Sequence, residues 1–194
     1  MSFEIVVIGA SSGGLQAIQT LLAALPADFP LPIVIVQHRR KDSELSLCEY
    51  LSCPGGLPVT EPEDKEAIFG GQVYLAPRDY HLLIDNGSFA LSTDPPVGYA
   101  RPSIDVLFES VAAEFRHRTI GIILTGKNRD GAHGLARIKA YGGFTLVEDP
   151  RSASAPELPR AAIALSQVDR VLPLAQVAPV LEQLCASMIE HHGV

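Results

Sequence analysis

Residues 5–8, Ile-Val-Val-Ile, are apolar and β-branched at every position. A run with no polar alternation suits a strand buried on both faces, as in a parallel sheet with helices packed on each side. It leads directly into Gly9-Ala-Ser-Ser-Gly-Gly14, and Leu15, Ile18, Leu21 and Leu22 then follow at helical spacing. Strand, glycine turn and helix in immediate succession commit the chain to the α/β class. Gly9 and Gly13 bracket Ser11 in a G-x-S-x-G pattern, where missing Cβ atoms let the backbone turn sharply and leave a serine oxygen exposed above the sheet. The N–H groups that open the following helix, near Ser12 and Gly13, could hold a developing oxyanion.

The same turn has a second reading, because a glycine-rich strand-to-helix junction also binds dinucleotide phosphates. Gly-Ala-Ser-Ser-Gly resembles the start of short-chain dehydrogenases. That chemistry needs a tyrosine with a lysine four residues later. The residues four after Tyr50, Tyr74, Tyr80, Tyr99 and Tyr141 are Pro54, Arg78, Ile84, Ser103 and Thr145. The ribose-binding acid expected after the second strand is missing too, since Ile33-Val-Ile-Val36 ends in Gln37-His38.

His38 thus stands at the carboxyl end of a strand, where α/β sites form. Asp130 follows a third apolar run, Ile120-Gly-Ile-Ile-Leu124, through Thr125-Gly-Lys-Asn-Arg129. Alone, the histidine could be structural and the aspartate a helix cap. Together, three strand ends deliver a serine, a base to take its proton and a carboxylate to fix the base's tautomer.

Net charge of −7 and a pI near 5.3 argue against nucleic acid as the main partner. No run approaches the ~20 residues of a membrane helix, and no secretory leader is evident. A cytoplasmic location is expected, with no membrane insertion. Cys48, Cys53 and Cys185 match no metal spacing and are odd in number, so reduced thiols are expected. We expect no cofactor and no metal.

Strands are predicted at 4–8, 32–37, 57–60, 120–124 and 144–147, and helices at 43–52, 103–116, 132–141 and 174–189. The segment 70–93, with Gln72-Val-Tyr-Leu75, Asp85-Asn-Gly87 and Phe89-Ala-Leu91, reads as a β-hairpin. The expected fold is a doubly wound, mostly parallel sheet with helices on both faces and an antiparallel hairpin insertion, forming one domain over 1–194. The loop from Asp94 to Pro102 reads as rigid packing that could rim a cleft. His81 reads as a hydrogen-bonded structural histidine as readily as a cleft residue. His133 is expected in a first helical turn without a catalytic role, and His191-His192 as a loose end.

Six ordered blocks resemble the catalytic domain of CheB-type protein-glutamate methylesterases. They are Ile8-Gly-Ala-Ser-Ser-Gly-Gly14; Val36-Gln-His38; Tyr74-Leu-Ala-Pro77 with Asp79 and His81; Arg101-Pro-Ser-Ile-Asp-Val-Leu-Phe108; Leu124-Thr-Gly126 with Asp130-Gly131; and Glu148-Asp-Pro150 followed by Leu158-Pro-Arg-Ala-Ala-Ile163. The resemblance implies Ser11 as nucleophile, His38 as general base and Asp130 as its orienting acid. It also implies hydrolysis of glutamyl methyl esters, deamidation of glutamines as a companion activity, and methylated chemoreceptor helices as the substrate. Two departures stand out. The better-known pattern has Met-Gly-Asn where this chain has Lys127-Asn128-Arg129, and apolar residues and prolines where it has Arg39 and Arg40. Arg39 and Lys127 are therefore expected to draw in an acidic substrate segment. Better-known members also carry a receiver domain; none is expected here, so control by phosphorylation would need a separate receiver protein. Two alternatives stay open: a nucleotide-binding Rossmann-like protein, and an inactive signalling module.

Overall fold

The structure is a computed structural model that describes residues 2–39 and 46–189. In chain order the elements are β1 Ile5–Ala10, α1 Gly14–Ala24, β2 Ile33–Gln37, α2 Leu47–Leu51, β3 Val59–Thr60, β4 Val73–Leu75, β5 His81–Asp85, β6 Ser88–Ser92, α3 Ile104–Phe115, β7 Thr119–Ile123, α4 Ala132–Ala140, β8 Phe144–Glu148, α5 Glu157–Leu165, β9 Arg170–Leu172 and α6 Val177–Ile189. Seven strands form one sheet in the order β3-β4-β2-β1-β7-β8-β9, every pair parallel. This is the doubly wound, mostly parallel sheet expected, with β5 and β6 pairing as a separate antiparallel hairpin.

Alternate side chains of the central strands feed two cores. Val6 and Ile8 pack with Ile18, Leu21 and Leu181 of α1 and α6, whereas Ile5 and Val7 pack with Leu107, Phe108 and Leu135 of α3 and α4. Each such side chain contributes about 1.5–3 kcal/mol on burial. That force, applied on both faces, fixes the register in which Ile8 lies beside Ile35 and Ile122.

The hairpin is smaller than expected. Val73-Tyr-Leu75 does not pair with Phe89-Ala-Leu91; it is β4, a buried strand of the main sheet, parallel to β2. Tyr74 tolerates complete burial because its hydroxyl accepts the Phe69 N–H at 3.0 Å. The hairpin itself turns at Asn86-Gly87, both with positive φ (49° and 74°), as a two-residue turn of the primed type demands. Helix α5 and strand β9 were not anticipated, and α2 begins at Leu47; residues 43–45 of the expected helix lie outside the described residues.

Winding reverses between β1 and β7. From β1 the chain proceeds to β2 on one side, while β7 leads to β8 and β9 on the other. Crossover connections diverge at such a point and leave a crevice beyond the carboxyl ends of the strands. Ser11 follows β1, His38 follows β2, and Asp130 lies in the loop after β7.

Candidate active site

The three strand-end residues meet. Ser11 Oγ lies 3.2 Å from His38 Nδ1, and His38 Nε2 lies 2.7 Å from Asp130 Oδ2. The nitrogen facing the carboxylate must carry the proton, which leaves Nδ1 as the lone-pair nitrogen directed at the serine.

Ser11 is held by its backbone. Its N–H donates to Thr125 O (3.0 Å), and its carbonyl accepts from Gly14 N–H and Gln37 Nε2 (both 2.9 Å). Gln37 Nε2 also donates to His38 O at 2.8 Å, tying the serine turn to the histidine. Thr125 Oγ1 donates to Ser12 O (2.9 Å) and accepts the Ala155 N–H (2.8 Å). Gly13 enters α1 at φ +80°, and a Cβ there would stand 2.8 Å from that of Ser154. The Ser12 and Gly13 N–H groups have no acceptor among the described residues, so they remain open at the mouth of α1. The Gly126 N–H, by contrast, is not open: it donates to Ala155 O at 2.9 Å.

Asp130 is saturated by contrast. Oδ1 accepts from Ser103 Oγ (2.7 Å) and Asp105 N–H (3.1 Å), while Oδ2 accepts from His38 and from Ile104 N–H (2.7 Å). Burial alone would raise its pKa, but the bonds from His38, Ser103 and Ile104 outweigh that and hold it below the ordinary carboxylate value. Asp130 therefore caps a helix, though not the one that follows it. It sits at the N-terminus of α3, and Asp105 of α3 returns the favour by accepting the Gly131 and Gly134 N–H groups of α4 at 2.9 and 2.7 Å. Desolvation dominates at Asp105 and raises its pKa. The exchange requires close helices, and Gly134 permits it: a Cβ there would lie 2.5 Å from that of Phe108.

His81 is structural. It is buried, its Nε2–H donates to Pro95 O (3.1 Å), and its Nδ1 accepts the Ser103 N–H (3.2 Å). A continuous series of hydrogen bonds thus runs from Pro95 through His81, Ser103, Asp130 and His38 to Ser11. The loop from Asp94 to Pro102 both packs and rims: Arg101 binds Asp79 (2.5 Å), Thr93 O and Asp94 O, and the segment walls a cleft of about 950 Å³ that opens onto His38 and Asn128.

Arg39 lines that cleft without being a free cation. Its guanidinium is committed to Glu61 at 2.5 Å and Ala76 O at 3.1 Å, with only 8% of the side chain exposed. Arg40 and the His191-His192 pair lie outside the described residues. Lys127 is exposed and lines a second groove of about 660 Å³ with Arg129, His133, Arg160 and Glu157. Burial pushes Cys185 up to about 11 and raises Cys48, so neither is a thiolate at neutral pH.

Sequence reading missed Gln37, Ser103, Thr125 and Asn128. Ser103, after Pro102 and before an apolar helical run, carried an N-cap signal. Its second bond, to Asp130, had no signal at all.

The chain and its fold have known counterparts. The family model for the CheB methylesterase matches residues 6–181. The crystal structure of the Thermotoga maritima CheB methylesterase catalytic domain superposes with a TM-score of 0.88 at 36% identity, covering 95% of this chain and all of that one. A Leptospira interrogans relative, provisionally named a protein-glutamate methylesterase/protein-glutamine glutaminase, is 43% identical over 98% of this chain and 99% of its own. An Anaeromyxobacter dehalogenans relative with the same activities in its name is 41% identical over 93% of this chain but only 53% of its own length. Among the described residues no helix is long and apolar enough to cross a membrane, and no cluster of side chains could hold a metal ion. With a family model spanning nearly all of it and a solved relative of the same fold, the chain belongs to the CheB methylesterase family.

Proposed function

We propose that the protein is a cytoplasmic serine hydrolase that removes methyl groups from γ-glutamyl esters on chemoreceptor helices, with glutamine deamidation as a companion activity. The observation that carries this is Ser11 Oγ within 3.2 Å of an imidazole whose far nitrogen is held at 2.7 Å by Asp130. Ser11 attacks the ester carbonyl while His38 Nδ1 takes its proton. The Ser12 and Gly13 N–H groups receive the oxyanion, and Asp130 stabilises the imidazolium. Collapse of the tetrahedral intermediate breaks the carbonyl–methoxy bond, and methanol leaves with the proton from His38. Water, deprotonated by the same nitrogen, then resolves the acyl enzyme to free serine and glutamate.

Lys127 serves substrate capture in this reading, and Arg129 and Arg160 serve beside it. None of the three forms an ion pair among the described residues, and together they present positive charge next to the catalytic loop of a chain whose net charge is negative.

The test is methanol release from methyl-labelled receptor membranes. Wild type should release it, Ser11→Ala should lose at least about 10³-fold, and turnover should decline with ionic strength. Substantial release by Ser11→Ala in folded protein would move the nucleophile elsewhere, and a turnover indifferent to salt would remove the groove from the reading.

A further inference from the structure

Asn128 takes no part in the steps above, yet it stands closer to the base than the nucleophile does. Its Nδ2 lies 2.7 Å from His38 Nδ1, against 3.2 Å for Ser11 Oγ. With Nε2–H committed to Asp130, Nδ1 offers a single lone pair, and two donors compete for it. The amide holds the shorter bond. Ser11 cannot deliver its proton while that bond persists, because the new Nδ1–H would face an N–H instead of an acceptor. The amide's other end is poorly secured: among the described residues Oδ1 is buried with no hydrogen-bond partner, and the contact with His38 is the one hydrogen bond that orients the side chain. Asn128 also lines the cleft, where an entering ester meets it.

From this geometry we infer that Asn128 is a positioning residue that occupies the lone pair of His38 in the free enzyme and so brakes Ser11 until substrate displaces the amide. The inference rests on the hydrolase reading above and deepens it. An interaction made by the free enzyme and broken before the transition state lowers kcat/KM by its own worth, and that loss falls on KM. A neutral hydrogen bond of this kind corresponds to about three- to tenfold.

The experiment measures the rate at which a fluorophosphonate probe labels Ser11, since so small a reagent reports serine activation without a receptor. Asn128→Gly removes the side chain; Asn128→Leu keeps comparable bulk without the N–H, and it decides the matter if the glycine variant loosens the loop. Both should label about three- to tenfold faster than wild type, and with a methyl-ester substrate the gain should appear as a lower KM. A residue that merely shaped the loop would slow labelling or lower the melting temperature. Wild type labelled at Ser11 with neither variant faster, slower labelling of both included, overturns the inference alone. Absence of labelling in wild type overturns the hydrolase reading and this inference with it.

Discussion

The turn that presents Ser11 and the turn that presents Asp130 lie at the same end of the sheet and are built in opposite ways. The serine turn is made of backbone and glycine, and it leaves the Ser12 and Gly13 N–H groups open. Around the aspartate every bond is closed: four donors, His38 after β2 and three consecutive residues at the start of α3, converge on two oxygens. Open donors suit a place where charge appears only during reaction, because they cost nothing to reorganise when it does. Closed ones suit a charge that is permanent and buried, which would otherwise be unaffordable in a low dielectric. One turn awaits a partner; the other already has its full set.

The sharpest way to break this contrast is Asp130→Asn, which turns one acceptor into a donor facing either His38 or the α3 N–H groups. Activity should fall by about 10²–10⁴-fold and unfolding stability by about 1–3 kcal/mol. Part of the stability loss carries a pH signature. Because the folded carboxyl is lowered from its ordinary 3.8, its contribution is present above that value and disappears as pH falls through the lower folded value. Denaturation of wild type and variant should thus converge in acid. Equal activity of the two proteins at neutral pH would show that Asp130 only joins the helices.

Gly13→Ala attacks the open turn instead. At φ +80° with Ser154 only 2.8 Å from the new methyl, it should cost about 1–3 kcal/mol and slow labelling of Ser11, as read by thermal melts and probe kinetics. Neutral behaviour would mean that the glycine is a convenience of sequence.

Asp105→Asn should do least. Both N–H groups it accepts reach the same oxygen, Oδ1, which asparagine retains. Stability at neutral pH should stay within about 1 kcal/mol of wild type or rise, since a desolvated charge is removed. The sign with pH is the reverse of Asp130: the folded carboxyl is raised, so wild type loses stability as pH climbs from 3.8 through the raised value, and the variant should not. A large loss in Asp105→Asn would show that the charge, not the geometry, holds α4 to α3.

What could be read from the sequence was what repeats along the chain. Ile5–Ile8, Ile33–Val36 and Ile120–Leu124 announced buried parallel strands through apolar runs, and the polar residues beyond their ends, Ser11, His38 and Asp130, are the three side chains that meet. Elements held by tertiary partners stayed hidden. β9 is three residues long and mostly exposed, and Tyr74 entered the core only because a distant N–H satisfied its hydroxyl. The contacts of Ser103 with Asp130 and of Asn128 with His38 depend on loops folding over one another, for which local patterning carries no information. Arg39 taught the converse: a cation next to His38 looked like a substrate handle, but Glu61, 22 residues away, had already claimed it.

The bonded series from Pro95 to Ser11 also bears on how the hairpin insertion can change over time or in the hands of an engineer. An insertion attached outside a sheet is usually a cassette, free to be swapped or trimmed while the scaffold keeps its function. Here the insertion's own histidine, His81, grips the residue that grips the acid. Grafting a foreign loop between β4 and α3 would therefore rewrite the setting of Ser11 without altering Ser11, His38 or Asp130.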